Sequence, residues 1–138
     1  MRLVLALCLV LGLMTEACAD YAGAISAYRG KHRLPAVKLD GKLNALALKQ
    51  AQAMAASGSI SHSAAGFFPM RVAPLKRRLA AENIGAGFLK FEEMLKEWEN
   101  SRGHRENLLM KGARRIGVAY ADNPKSPYRK FWAMVITD

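Results

Sequence analysis

The sequence predicts an α+β domain in which helices cover both faces of a small antiparallel sheet. Two observations lead there. Apolar residues recur at the 3.6-residue period of helices through the first two thirds of the chain, whereas the last quarter shifts to the two-residue alternation of strands. The segment "FWAMVIT" (131–137) is apolar on both faces, as in a strand covered on two sides. Early helices followed by late strands imply layers packed on one sheet.

The first nineteen residues stand outside that fold. Arg2, the apolar run "LVLALCLVLGLM" and "ACA" before Asp20 have the order of a secretory signal peptide, expected over 1–19. The run is about 12 residues long, short of the roughly 20 that a membrane span needs. Acylation of Cys18 is the competing reading, and Thr15 and Glu16 are poor residues to precede such a cysteine. The expected mature chain, 20–138, is one domain by length, keeps neither Cys8 nor Cys18, and so has no disulfide. It is long enough to stand on an apolar core.

Element by element, Asp20 caps a helix running to about His32, with Ala24, Ile25 and Tyr28 on one face and Leu34-Pro35 at its end. His32, between Lys31 and Arg33, reads as solvated. A second helix follows Asp40, its stripe carried by Leu43, Leu46, Ala47, Ala51 and Met54 and its stop by Ser57-Gly58. Residues 59–75 read as loop, punctuated by Gly66, Pro69 and Pro74, and "LKRRLA" (75–80) as a helical turn. "AENIGAG" (81–87) fits a buried strand edge. Phe91, Leu95 and Trp98 mark a third helix ending near Asn100. Gly103 suits the left-handed position past a helix end, leaving His104 to open a short helix through about Leu109, with Glu106 near its positive end. In "RIGVAYA" (115–121), Ile116, Val118 and Tyr120 share a face, and "DNPKSP" (122–127) connects a hairpin to the last strand.

The formal net charge is +10, and removing Arg2 and Glu16 with the leader leaves it there. Such a charge attracts acidic partners, which outside the cytoplasm are anionic lipid or wall polymers. The cations are dispersed in "KHR" (31–33), "KRR" (76–78) and Arg114-Arg115, more a soluble surface than a binding stripe. No nucleic-acid module motif is present. Phe67-Phe68 before Pro69 either packs beneath a loop or forms an apolar patch that meets lipid or a partner. Trp98 and Phe91 read as core, and Asn83 and Asn107 as residues that tie turns to backbone.

Three polar residues stand out: His62 in "SHS", Glu82 in "AENIGAG" and His104 in "SRGHREN". No metalloprotease spacing links them, and taken singly each has an ordinary structural reading as a loop residue, a strand-end charge or a helix start. Together with "YRGKHRLPAVKLDGKL", "MAASGSISHS", "EWENSRGHRENLL" and "YRKFWAMVITD", they follow the order of CAP-superfamily, or SCP-like, extracellular domains. The chain resembles the compact bacterial branch of these relatives of cysteine-rich secretory and pathogenesis-related proteins over nearly all of 20–138.

The resemblance implies a three-layer α-β-α sandwich with a cleft lined by two histidines and two glutamates, in which the histidines can hold a divalent metal such as zinc. Carried over by motif, these are His62, His104 and Glu82. The place of the second glutamate, three residues after the tryptophan, holds Ser101. Glu97 and Glu99 flank Trp98 without matching it.

Two imidazoles and one carboxylate would make a zinc set with one open position, polarising a carbonyl or activating water. If Glu82 ligates, no base remains; if Glu82 is the base, two ligands hold the ion weakly. The leading expectation is therefore a secreted, monomeric binding module for an extracellular ligand such as lipid, an acidic envelope component or a partner protein. A metal-dependent hydrolase or protease with Glu82 as its candidate catalytic residue, and a cationic envelope-binding protein, are the alternatives.

Overall fold

The structure, a computed structural model, describes residues 21–138. The expected signal peptide, the Cys18 alternative and the Asp20 cap lie outside the described residues. Helix α1 occupies residues 21–31 and is followed by β1 (Lys38–Leu39), α2 (Gly41–Ser57) and α3 (Phe68–Val72), which runs into a 3-10 turn at Ala73–Leu75. Then come β2 (Ala80–Ala86), α4 (Phe91–Asn100), α5 (Arg102–Leu108), β3 (Arg115–Asn123) and β4 (Arg129–Thr137).

The four strands form one sheet in the order β1-β3-β4-β2. The pairs β3–β4 and β2–β4 are antiparallel, as expected, whereas β1 lies parallel to β3 and makes the sheet mixed. The central strand β4 is buried from Phe131 to Thr137, which accounts for its two apolar faces.

Alternation along the strands sorts the core into two halves. Ile116, Val118, Trp132, Met134 and Ile136 meet Ile25 of α1, Phe91, Met94, Leu95 and Trp98 of α4, and Leu108 of α5. Ile84, Ala119, Phe131, Ala133 and Val135 meet Leu43, Ala47, Ala51 and Met54 of α2, with Phe68 and Val72 of α3 packed alongside. The result is a three-layer sandwich.

Helix α2 starts where Asp40 accepts hydrogen bonds from the amides of Lys42 (2.9 Å) and Leu43 (3.1 Å). It ends at Gly58, whose φ of 69° suits glycine. Helix α2 also lies directly on Gly117, where a Cβ would collide with the backbone of Leu43 and Asn44.

Three local expectations are corrected. Pro69 does not punctuate a loop but sits in the first turn of α3, where its missing N–H costs nothing. "LKRRLA" is not a helical turn: only Leu75 belongs to the 3-10 turn, and Ala80 already lies in β2. Gly103 is not a left-handed stop either. It lies inside α5, and Ser101, extended at φ −94° and ψ 122°, ends α4 and begins α5. His104 is thus the third residue of α5, presented by a continuous helix–joint–helix.

Candidate functional site

The site forms over β2, the edge strand beside β4. An edge strand exposes unpaired backbone groups, and here the helices next to it cover them. The Trp98 indole N–H donates to the Ile84 carbonyl at 3.0 Å, and Asn107 Nδ2 donates to the Glu82 carbonyl at 3.3 Å. Asn107 Nδ2 also donates to Asn83 Oδ1 at 2.9 Å, and Asn83 Nδ2 to the His104 carbonyl at 3.0 Å. Trp98, Asn83 and Asn107 therefore fasten α4 and α5 to the strand that carries Glu82. The tryptophan is core, as its spacing predicts, and the asparagines tie backbone as expected, joining a strand to a helix.

Glu82 is the centre of a polar knot reaching the other way. Its side chain is 2% exposed. Arg71 grips both carboxylate oxygens, with Nη1 on Oε2 at 2.8 Å and Nη2 on Oε1 at 3.0 Å. The same guanidinium donates to the carbonyls of His62 (2.9 Å) and Gly66 (2.8 Å). A planar fork suits this task because several donors are fixed by one group. His62 Nδ1 lies 3.0 Å from Glu82 Oε1. An ionised carboxylate only accepts, so Nδ1 carries the proton in this contact. The His62 side chain is 58% exposed. Beside it, Ser61, Ser63, Phe67 and Phe68 complete a hollow of about 280 Å³.

His104 has a different setting. Its Nδ1 is buried with no hydrogen-bond partner among the described residues. Burial, first, and the nearby charge of His62, second, lower its pKa from the ordinary 6.5, against an opposing pull from Glu97. The His104 carbonyl accepts from Asn83, the neighbour of Glu82, which brings His104 to this part of β2. Ser101 makes no side-chain capping bond and serves through its extended backbone at the helix joint.

His62 and Glu82 are therefore in contact, and His104 belongs to the same corner. Arg71 escaped the sequence reading. It sits in an apolar pentapeptide with no pattern to mark it, and only the fold turns it onto Glu82.

This arrangement decides which ion could fit. Among the described residues, no group of three or more His, Cys, Asp or Glu side chains could hold a metal. Glu82 already gives both oxygens to Arg71 and one of them to His62, leaving the two imidazoles. One is oriented by its carboxylate and the other keeps an unpartnered nitrogen. That set does not fit the three-ligand set of a catalytic zinc centre.

A larger hollow lies elsewhere. It has about 610 Å³ and is lined by Tyr21, Phe91, Tyr120, Lys130 and Trp132 among others. It contains none of the site residues.

Comparison with known proteins agrees with the fold. The profile described as CAP, "Cysteine-rich secretory protein family", matches residues 22–136. The "Uncharacterized protein YkwD" of Bacillus subtilis is 31% identical over 102 residues, covering 71% of this chain and 40% of that protein. The chain thus spans less than half the length of that relative. Among solved structures, an extracellular protein containing an SCP domain from Bacillus anthracis superposes with a TM-score of 0.74 at 26% identity, over 89% of this chain and 40% of that one. An outer surface protein from Borrelia burgdorferi has the same fold, with a TM-score of 0.75 at 21% identity over 87% and 90% of the two chains. With profile, sequence relative and fold in accord, the chain belongs to the CAP, or cysteine-rich secretory protein, family.

Proposed function

We propose that this chain is a secreted, non-catalytic binding module whose ligand seats at the His62–His104 corner beside Glu82 and Ser101. The observation that carries the reading is the capture of Glu82 by Arg71 and His62. A carboxylate with both oxygens already engaged orients its neighbours and is poorly placed to take a proton from water. Ser101 cannot supply the missing base. What remains is a firmly built rim, two imidazoles of unequal burial and a small hollow with polar and aromatic walls, features of a recognition site.

Secretion is supported by the leader-like first nineteen residues and by the extracellular description of the Bacillus anthracis relative. Among the described residues, no helix is long and apolar enough to cross a membrane. If a divalent ion such as zinc enters, His62 and His104 would hold it, and it would supply a Lewis-acidic contact for a ligand oxygen.

Zinc alone is the probe for the test. Calorimetry at pH 7 is expected to give weak binding, at least tenfold weaker at pH 5 as the rings protonate, and none in His62→Ala/His104→Ala. Zinc-dependent turnover of peptide or ester substrates that Glu82→Gln abolishes would overturn the binding reading in favour of a hydrolase.

A further inference from the structure

A short helix on a protein surface normally turns one apolar face inward and a polar face outward. Helix α3 does not. Phe68 and Val72 pack on the core half that faces α2, yet Phe67 is 65% and Met70 73% exposed. Phe67 and Met70 lie three residues apart, so they share the outer side of the same turn. The base beneath them is fixed, because Arg71 ties α3 to Gly66, His62 and Glu82.

The stretch of chain that builds α2 and α3 carries charge of one sign. From residue 41 to residue 81 there is no Asp or Glu, while Lys42, Lys49, Arg71, Lys76, Arg77 and Arg78 all fall there. Arg71 is held by Glu82 and Arg78 by Asp138. Lys76 and Arg77, both exposed, make no ion pair among the described residues. Four acidic side chains, Glu92, Glu93, Glu97 and Glu99, gather on α4, beyond the opposite face of the sheet. The molecule therefore has a basic side carrying exposed apolar residues and a side rich in acids.

We infer that the α3 corner is a docking surface for a bilayer of anionic lipid. Phe67 and Met70 enter the boundary between headgroups and acyl chains, and Lys76 and Arg77 lie against the phosphates. Charge alone would suit a hydrated acidic polymer equally well. Exposed Phe and Met side chains gain nothing from such a polymer, whereas a bilayer offers hydrocarbon within a few ångströms of its charge. The charge of α4, with four glutamates and one lysine, favours an approach that keeps this helix away from the same surface. The inference rests on the extracellular reading and adds a second contact, made by α3 and separate from the ligand seat at the imidazoles.

The test is co-sedimentation with large unilamellar vesicles at physiological salt. Vesicles containing phosphatidylglycerol are expected to bind the protein, and pure phosphatidylcholine vesicles to bind it at least tenfold less. Phe67→Ser/Met70→Ser should lower the affinity at least tenfold, and Lys76→Ser/Arg77→Ser by about 25-fold, roughly fivefold per charge. His62→Ala/His104→Ala should bind vesicles as the unaltered protein does, even where it loses zinc.

A second measurement covers a variant that does not fold. Phe67→Trp keeps the apolar face and adds a fluorescent reporter, which should shift to the blue on phosphatidylglycerol vesicles and be quenched by brominated acyl chains. Equal binding to both vesicle types, or an emission from the Phe67→Trp reporter that neither shifts nor is quenched, would overturn the proposal. Salt-sensitive binding indifferent to Phe67 and Met70 would do so too, and would point to an acidic polymer. If only the histidine pair mattered for vesicles, the contact would move to the imidazole corner and docking through α3 would be lost.

Discussion

Arg29 is wholly buried, with no carboxylate paired to it among the described residues. Its guanidinium donates to the carbonyls of Pro35 (2.8 Å), Leu108 (2.8 Å), Met110 (3.0 Å) and Ala113 (3.4 Å). It thereby closes the end of α1 onto the turn between α5 and β3. Replacing it with alanine strands several buried carbonyls, so urea unfolding of Arg29→Ala is expected to show a loss of at least about 3 kcal/mol. A lysine at the same place, with one ammonium in place of a fork, should rescue only a small part.

His104 makes a prediction in pH. Its pKa is lowered in the folded protein, chiefly by burial, below the 6.5 of an open chain. The folded state therefore binds fewer protons than the unfolded one. The stability this represents is fully present above about pH 6.5 and is lost as the pH falls through the lower folded value. Urea midpoints should decline on acidification below pH 6.5. His104→Gln, having no proton to bind, should flatten that decline.

At the scale of elements, two glycines separate tight backbone packing from adjustable side-chain packing. At Gly117 a Cβ meets the backbone of α2, which cannot give way without moving the helix off the sheet. At Gly85 it meets Met94 Sδ at 2.6 Å, the far end of a flexible side chain. Gly117→Ala should therefore cost about 3 kcal/mol and Gly85→Ala about 1 kcal/mol, compared by chemical denaturation. If both cost the same, the close approach of α2 to β3 would be wrong.

The elements legible in the sequence are those whose own period suffices. The α2 stripe, the Phe91–Leu95–Trp98 face and the doubly apolar β4 each carry their signal within one segment. Strand β1 does not. Its Lys38 and Leu39 are exposed and show no alternation, and they pair only because β3 offers an edge: the Lys38 amide donates to the Arg114 carbonyl at 2.8 Å and the Asp40 amide to that of Ile116 at 2.9 Å. Helix α3 was hidden by Pro69, which breaks a helix interior but opens a helix well. Gly103 misled in the converse way, since a glycine near a helix end suggests a stop and here lies within the next helix. For the site, motif order brought His62, Glu82 and His104 to notice. The link between them, Arg71, is a long-range contact that no local pattern encodes.

For the whole molecule, the two core halves carry different tasks. The half with α1, α4 and α5 anchors β2 through Trp98, Asn83 and Asn107, while the half with α2 and α3 delivers His62 and Arg71 to the same strand. Glu82 is the point where they meet, and on the proposed reading its use as a fastening separates a recognition corner from a hydrolytic one. Removing one partner of so buried a pair should cost about 3–5 kcal/mol, whichever is removed. The most direct measurement is a double-mutant cycle on Arg71→Met and Glu82→Gln, read by urea unfolding at pH 7. The expected result is a coupling of about 2 kcal/mol or more, at the upper end for residues in direct contact. A coupling below about 0.5 kcal/mol, the scatter of independent sites, would leave Glu82 unfastened and contradict the binding-module reading at its root.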